Sequence, residues 1–178
     1  AAFDDSRQGD FRVTVAVIDA AEGVRPARAV AVRPYADSDA ARWDAFVLEC
    51  PDATFFHQLG WREIIEGTFR HRTHYLVAER GHDIAGVLPL AEVRSLLFGH
   101  ALVGLPFGVY GGPAATDAAA ASALIDAASA LASKLQVGHL ELRNRQARCA
   151  GWPEQDLYVT FRKSLLPDAE GNMLASSA

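Results

Sequence analysis

Cysteine is scarce: Cys50 and Cys149 are the only two in 178 residues. Neither belongs to a short metal or redox spacing, and two residues cannot build a disulfide framework, so two free thiols in a reducing compartment are expected. Positive charge is also short, with a formal net charge of −5, so nothing general draws the chain to nucleic acid or to an anionic membrane. No membrane-spanning run is present. The most apolar stretch, residues 96–110, is short and carries Gly99, His100, Gly104, Pro106 and Gly108, which reads as buried strand and turn. The first residues, with Asp4, Asp5 and Arg7, do not read as a signal peptide. His71, His74 and His82 have no carboxylate or cysteine at metal spacing, so no metal is expected. No Ser-His-Asp or Cys-His nucleophile and no P-loop is visible.

What remains is an ordinary globular composition, half hydrophobic and 22% charged, in a length that suits one domain with extra ends. Residues 74–79 favour a strand, 80–83 a tight turn, and 84–90 a second strand. Leu102 to Tyr110 continues as a buried strand that Gly111-Gly112-Pro113 breaks. An alanine-rich helix from about Asp117 to Leu135 follows, with Leu124, Ile125, Ala128, Leu131 and Leu135 as its packing stripe and Thr116 or Asp117 as its cap. His139 to Arg143 closes this series as a strand.

Upstream, residues 11–18 and 29–33 have strand character. Ser38 can cap a helix whose stripe is Trp43, Phe46, Val47 and Cys50, and Pro51 ends it. A second helix over residues 58–68 puts Trp61, Ile64, Ile65 and Phe69 on one face. Downstream, 157–165 reads as a closing strand and the residues from Pro167 as a polar tail.

Three groups of residues could carry chemistry. The turn from Phe107 to Ala114 leads from a strand into a helix start, where backbone N–H groups and the helix dipole can hold an anion, although Pro113 removes one donor; Tyr110, Gly111 and Gly112 are its candidate substrate-binding residues. The alternative is a tightly packed turn. His57 precedes a helix whose stripe starts at Trp61, and it could act as a general base or merely cap the helix. Glu141, Arg143 and Arg145 alternate along one strand and therefore face one side, as a polar binding face or as an ion-paired sheet edge.

The order strand, hairpin, strand, strand, glycine-rich turn, helix, strand resembles the GNAT acyltransferase core. More narrowly, Trp43-Asp44-Ala45-Phe46-Val47, Pro51 to His57, Gly86 to Leu90, Leu105-Pro106-Phe107, Tyr110-Gly111-Gly112, Leu140-Glu141-Leu142-Arg143 and Tyr158-Val159-Thr160-Phe161 resemble the FemAB-like branch of that superfamily, in particular FemAB-related proteins encoded with bacterial exosortase and exopolysaccharide systems. The resemblance covers about residues 32–166.

It implies an α/β (α+β) fold with a mixed central sheet flanked by helices. Residues 1–28 would be an N-terminal extension with room for an extra strand, 29–166 the GNAT-like domain, and 167–178 a disordered or non-native tail. Fem enzymes move an aminoacyl group from aminoacyl-tRNA to a precursor amine and are built from two GNAT-like domains. The resemblance therefore implies the N-terminal domain of a cytoplasmic acyltransferase, or one peripheral to the inner membrane, that serves cell-envelope or polysaccharide assembly. Its partners would be an envelope precursor, a second GNAT-like domain, or a second copy through an exposed apolar face, with no DNA. No cofactor is expected to bind firmly, and the acyl donor would be aminoacyl-tRNA or an acyl-CoA. His57 and Glu141 are its candidate catalytic residues, and Tyr110, Gly111, Gly112 and Arg143 its candidate binding residues. A self-contained acetyl-CoA-dependent acetyltransferase and a non-catalytic domain that binds or dimerises are the alternatives.

Overall fold

The computed structural model describes residues 29–95, 99–144 and 151–153. The expected strands over 11–18 and 157–165, the tail from Pro167, and Arg145 lie outside the described residues. Contacts divide the chain into residues 1–145 and 146–178, and the fold described is that of the first unit.

Eight strands and three helices follow in order: β1 Ala31–Pro34, α1 Ala40–Glu49, α2 Leu59–Gly67, β2 Arg72–Thr73, β3 Leu76–Arg80, β4 Asp83–Leu88, β5 Leu90–Ser95, β6 Gly99–Gly104, β7 Ala114–Ala115, α3 Ala118–Leu135 and β8 His139–Glu141. They form two four-stranded sheets, β1-β3-β4-β7 and β2-β5-β6-β8. All neighbours are antiparallel except β6 and β8, which run parallel with Ala101 opposite His139 and Val103 opposite Glu141. A parallel neighbour needs a crossover, and α3 supplies it.

The two sheets are halves of one bent surface. Three chain segments pass from one half to the other and break at the bend: β2 to β3 at His74-Tyr75, β4 to β5 at Pro89, and β6 to β7 across residues 105–113. Backbone bonds stitch the bend, from His74 N–H to Leu90 O (2.8 Å) and from Leu105 N–H to Pro89 O (3.3 Å). Pro89 has no N–H for the ladder, so the run expected over 84–90 divides there.

The expected strand from Leu102 to Tyr110 is cut shorter still. It ends at Gly104, because Leu105 and Phe107 take left-handed backbone angles (φ 47° and 67°) that no strand tolerates, and Pro106 between them lacks a donor. The result is a nine-residue excursion before the chain rejoins β4 as β7.

Side chains alternate across the sheet and sort into two cores. Leu76, Ala78, Leu88, Leu90 and Leu102 face α3, whose Ala120, Ala121, Leu124 and Ala128 complete that cluster. Tyr75, Val77, Val87 and Ala114 face α1, with Trp43 and Val47. By length and composition α3 could cross a membrane, but its apolar stripe is accounted for by packing on this sheet.

Asp117 caps α3 by accepting from the Ala120 N–H at 3.0 Å, so the cap is Asp117 rather than Thr116. At α1 the expected cap, Ser38, is displaced. Residues 37–39 form a single 3-10 turn, and Asp39 occupies the position before α1, with its side chain turned back to the chain upstream rather than to the helix N–H groups. Its buried carboxylate accepts from the Ala36 N–H (2.9 Å) and from both terminal nitrogens of Arg33 (2.6 and 2.8 Å). Those hydrogen bonds hold the Asp39 pKa down at about 2. Arg33 also reaches Glu79 on β3, so one guanidinium ties β1, β3 and the start of α1 together.

Candidate functional site

The excursion over residues 105–113 gathers most of the residues singled out in the sequence. It leaves β6 at Gly104 and folds back against the end of β8. The Gly111 N–H donates to Arg143 O at 3.0 Å, and Arg143 Nη1 donates to Gly108 O at 2.8 Å. Arg143 Nε holds Glu141 Oε1 at 2.7 Å. Both side chains are part-exposed, so this pair is a polar face open to solvent and at the same time a clamp on the loop.

The glycines are there for space. A Cβ on Gly111 would sit 2.0 Å from Gly104 O, and one on Gly112 would sit 1.9 Å from Asn144 Oδ1. The Gly111 overlap is with backbone, so two chain segments touch there where a side chain would separate them, whereas at Gly112 the neighbour is the end of the Asn144 side chain. The Gly111 amide is spent on Arg143, so this turn does not present that N–H to an anion. Tyr110 lies in the same loop, half-buried.

His57 stands behind the loop and is buried, with 1% of its surface exposed. The Thr54 N–H donates to Nδ1 at 3.1 Å, which makes Nδ1 the acceptor and leaves the proton on Nε2. Nε2 donates to Gly112 O at 3.0 Å. Burial pushes the His57 pKa below its ordinary value, and the contacts with Gly112 and Thr54 oppose the shift only in part. The side chain is thus a neutral imidazole with both nitrogens engaged, and it offers no lone pair to a substrate in this arrangement. It bridges the turn at residues 54–57 to the loop, and the Trp43 indole reinforces the turn by donating to His57 O at 2.8 Å.

The structure therefore brings His57, Gly111, Gly112, Glu141 and Arg143 to one loop, with Tyr110 in it. Asn144, which sequence reasoning missed, joins them with a buried Oδ1 that has no hydrogen-bond partner. An asparagine one residue after an alternating charged strand carries no sequence signal of its own.

The start of α3 is closed off. The Asp117 carboxylate takes Arg80 Nη2 at 2.9 Å on Oδ1 and Arg80 Nη1 on Oδ2. Arg80 first, then the Ala120 N–H, hold the Asp117 pKa well below the ordinary carboxylate value. A groove of about 470 Å³ lies beside Phe46, Glu49, Cys50, Ile84, Ala115 and Thr116, and none of the expected site residues lines it.

No protein-family model matches this sequence, and no curated protein matches it by sequence. Solved structures do match the fold. A GNAT family acetyltransferase from Staphylococcus aureus superposes with a TM-score of 0.50 at 12% identity, over 77% of this chain and 99% of that one. A ribosomal-protein-alanine N-acetyltransferase from Brucella melitensis biovar Abortus gives 0.51 at 14%, over 76% and 100%. The aminoglycoside 6'-N-acetyltransferase AAC(6')-IG from Acinetobacter haemolyticus gives 0.51 at 13%, over 76% and 99%. The bent mixed sheet, the crossover helix and the parallel β6–β8 pair are therefore those of the GNAT acyltransferase fold.

Proposed function

We propose that this chain is the first GNAT-like domain of a FemAB-like acyltransferase, working in the cytoplasm on a cell-envelope or polysaccharide precursor together with a second domain of the same fold. The observation that carries this reading is the closed start of α3. A diphosphate favours free N–H groups and the dipole at a helix N-terminus. Here that position already holds the Asp117 carboxylate, neutralised by Arg80, and the nearby Gly111 amide is bonded to Arg143. Both features weigh against an acyl-CoA donor and leave aminoacyl-tRNA as the donor class, with no cofactor held firmly.

In such a transfer an amine or hydroxyl attacks an activated acyl carbonyl, and the protein positions the partners and stabilises the oxyanion. Arg143 and Glu141 are the groups assigned to substrate, with Tyr110 beside them. His57, Gly111 and Gly112 hold the loop that carries them. A partner surface is also at hand. Phe55, Phe107 and Val109 are 69%, 55% and 56% exposed, and Phe107 stacks on Phe69 with ring centroids 4.1 Å apart. Aromatic side chains exposed together suit a second domain, or a second copy of this chain.

Calorimetric titration with acetyl-CoA at moderate salt tests the donor assignment. The expected result is no binding tighter than about 1 mM. A micromolar constant would instead establish the second reading, a self-contained acetyl-CoA-dependent N-acetyltransferase. That reading has its own support, since this fold spans 99% or more of three compact GNAT acetyltransferase chains.

A further inference from the structure

On the α3 side of the sheet, beyond the residues that α3 covers, β2, β5 and β6 carry a second polar cluster. Glu92 is at its centre, with only 5% of its surface exposed. Its Oε1 takes Arg94 Nε at 2.8 Å, Arg94 Nη2 at 2.6 Å and His100 Nε2 at 2.7 Å. Its Oε2 faces His74 Nε2 at 3.1 Å. Burial alone would raise the Glu92 pKa, but the bonds from Arg94, His74 and His100 outweigh it and bring it down to about 2.

Because both imidazoles meet a carboxylate through Nε2, each carries its proton there and points Nδ1 away from Glu92. No hydrogen bond engages either Nδ1 among the described residues. Arg72 lies directly across the ladder from Glu92, so its side chain rises on the same face. It is exposed and makes no ion pair among the described residues. Arg94 is also solvent-facing, at 73%. Two guanidiniums thus stand over one buried carboxylate, and the face is locally positive in a chain whose net charge is −5. A purely structural ion pair would need one arginine and no row of imidazoles.

We propose that Arg72, Arg94 and His100 form a binding site for a phosphate-class oxyanion, with Glu92 as the positioning residue that fixes the rotamer and tautomer of both histidines. Arg72 supplies a free fork for two oxygens, Arg94 a second, solvent-facing guanidinium, and His100 Nδ1 accepts the proton of a monoprotonated phosphate. The site lies on the opposite face from the loop at 105–113, so it is independent of the acyl-transfer reading.

The test is a titration of the full chain with inorganic phosphate, followed by NMR on the histidine ring resonances, with sulfate and acetate as parallel arms. The expected result is a saturable shift of the His100 and His74 signals in the millimolar range or tighter, with phosphate ahead of acetate. Arg72→Ala should weaken binding about tenfold, the effect of losing one charged fork. Arg70→Ala removes an equally exposed arginine two residues away and should leave binding unchanged. Melting curves confirm that both variants are folded. Non-saturating shifts, equal shifts with acetate, or equal losses in the Arg70 and Arg72 variants would each overturn the site, because they mark general charge screening.

Discussion

The two faces of the bent sheet are built on different principles. On the α3 face, leucine and alanine from five strands meet the stripe of one long helix. On the α1 and α2 face, the loop at 105–113 holds Leu105 and Phe107 in left-handed conformations, packs glycine against backbone, and buries a neutral histidine. Left-handed bulky residues cost about 1–3 kcal/mol each and persist only where surrounding contacts over-determine them. The α3 face supplies stability, and the loop face spends some of it to hold a polar surface in place.

Substitutions that reach both faces should break this comparison first. Gly111→Ala puts a methyl 2.0 Å from Gly104 O and 2.8 Å from Leu105 Cβ, where only backbone movement can relieve the clash. Chemical denaturation should show a loss of about 4 kcal/mol, at the exceptional end for a single substitution. Leu124→Ala, on the α3 face, should cost about 3 kcal/mol as a core truncation with a residual cavity. If Gly111→Ala is the milder of the two, the loop is loosely held and the account of His57 as its clamp fails.

The same contrast governs how much could be read from the sequence. The stripe of α3 and the Trp43–Val47 stripe of α1 follow from spacing alone, because a helix buries what recurs every three or four residues, while the sequence narrowed the α3 cap only to Thr116 or Asp117. The hairpin at Gly81-His82 was legible from its glycine. The loop was not. An apolar run through Leu105 and Phe107 gives the signal of a strand, whereas the loop they lie in is held by contacts with Arg143 and Asn144 that lie far off in sequence. Ser38 looked like a cap on propensity, but the chain before α1 is held instead by Asp39, whose carboxylate binds Arg33 and the Ala36 N–H. For His57, position before a helix suggested a base. What decides its state is the Gly112 carbonyl, 55 residues away. The cluster around Glu92 was missed because three strands separate His74 from His100 in sequence, and only the ladder brings them to one carboxylate.

Acid should separate the faces by pH. The folded-state pKa of His57 lies below its ordinary value of 6.5, so the unfolded chain takes up that proton first. Its contribution is complete above about pH 6.5 and is lost as pH falls toward the folded value. Glu92 is also depressed, from 4.5 to about 2, so its contribution is complete above pH 4.5 and is lost between there and 2. The Glu92 step is worth on the order of 3 kcal/mol as an upper bound, and it shares its pH window with Asp39 and Asp117, whose carboxyls are also held down. Denaturation midpoints across pH 8 to 3 should therefore fall in two stages. His57→Asn should remove the upper stage, and Glu92→Gln should shrink the lower one by its own share, leaving the part due to Asp39 and Asp117. A single stage, or loss of the wrong one, would show that the two clusters are not the groups that titrate.

The smallest effect tests whether strain belongs to the loop face alone. Gln136, with φ 53°, is left-handed as well, as is Arg70, and it sits at the end of α3. Its N–H bonds Ser133 O at 3.1 Å, and the Val137 N–H returns to Ala132 O at 3.2 Å, which is the wrapped ending that helices commonly adopt with glycine. Here the left-handed angle is local, since no loop or site residue imposes it. Gln136→Gly should therefore relieve the Cβ penalty and stabilise the domain, by about 0.5–1 kcal/mol after the greater freedom of glycine in the unfolded chain is subtracted. Phe107→Gly has the same backbone rationale but gives up the stack on Phe69, so it should gain nothing and lose about 1 kcal/mol. Parallel melts of the two variants read the difference directly: opposite signs place strain at Gln136 in the helix end and at Phe107 in the tertiary fold, and equal gains would mean that the Phe107 ring does not hold its loop.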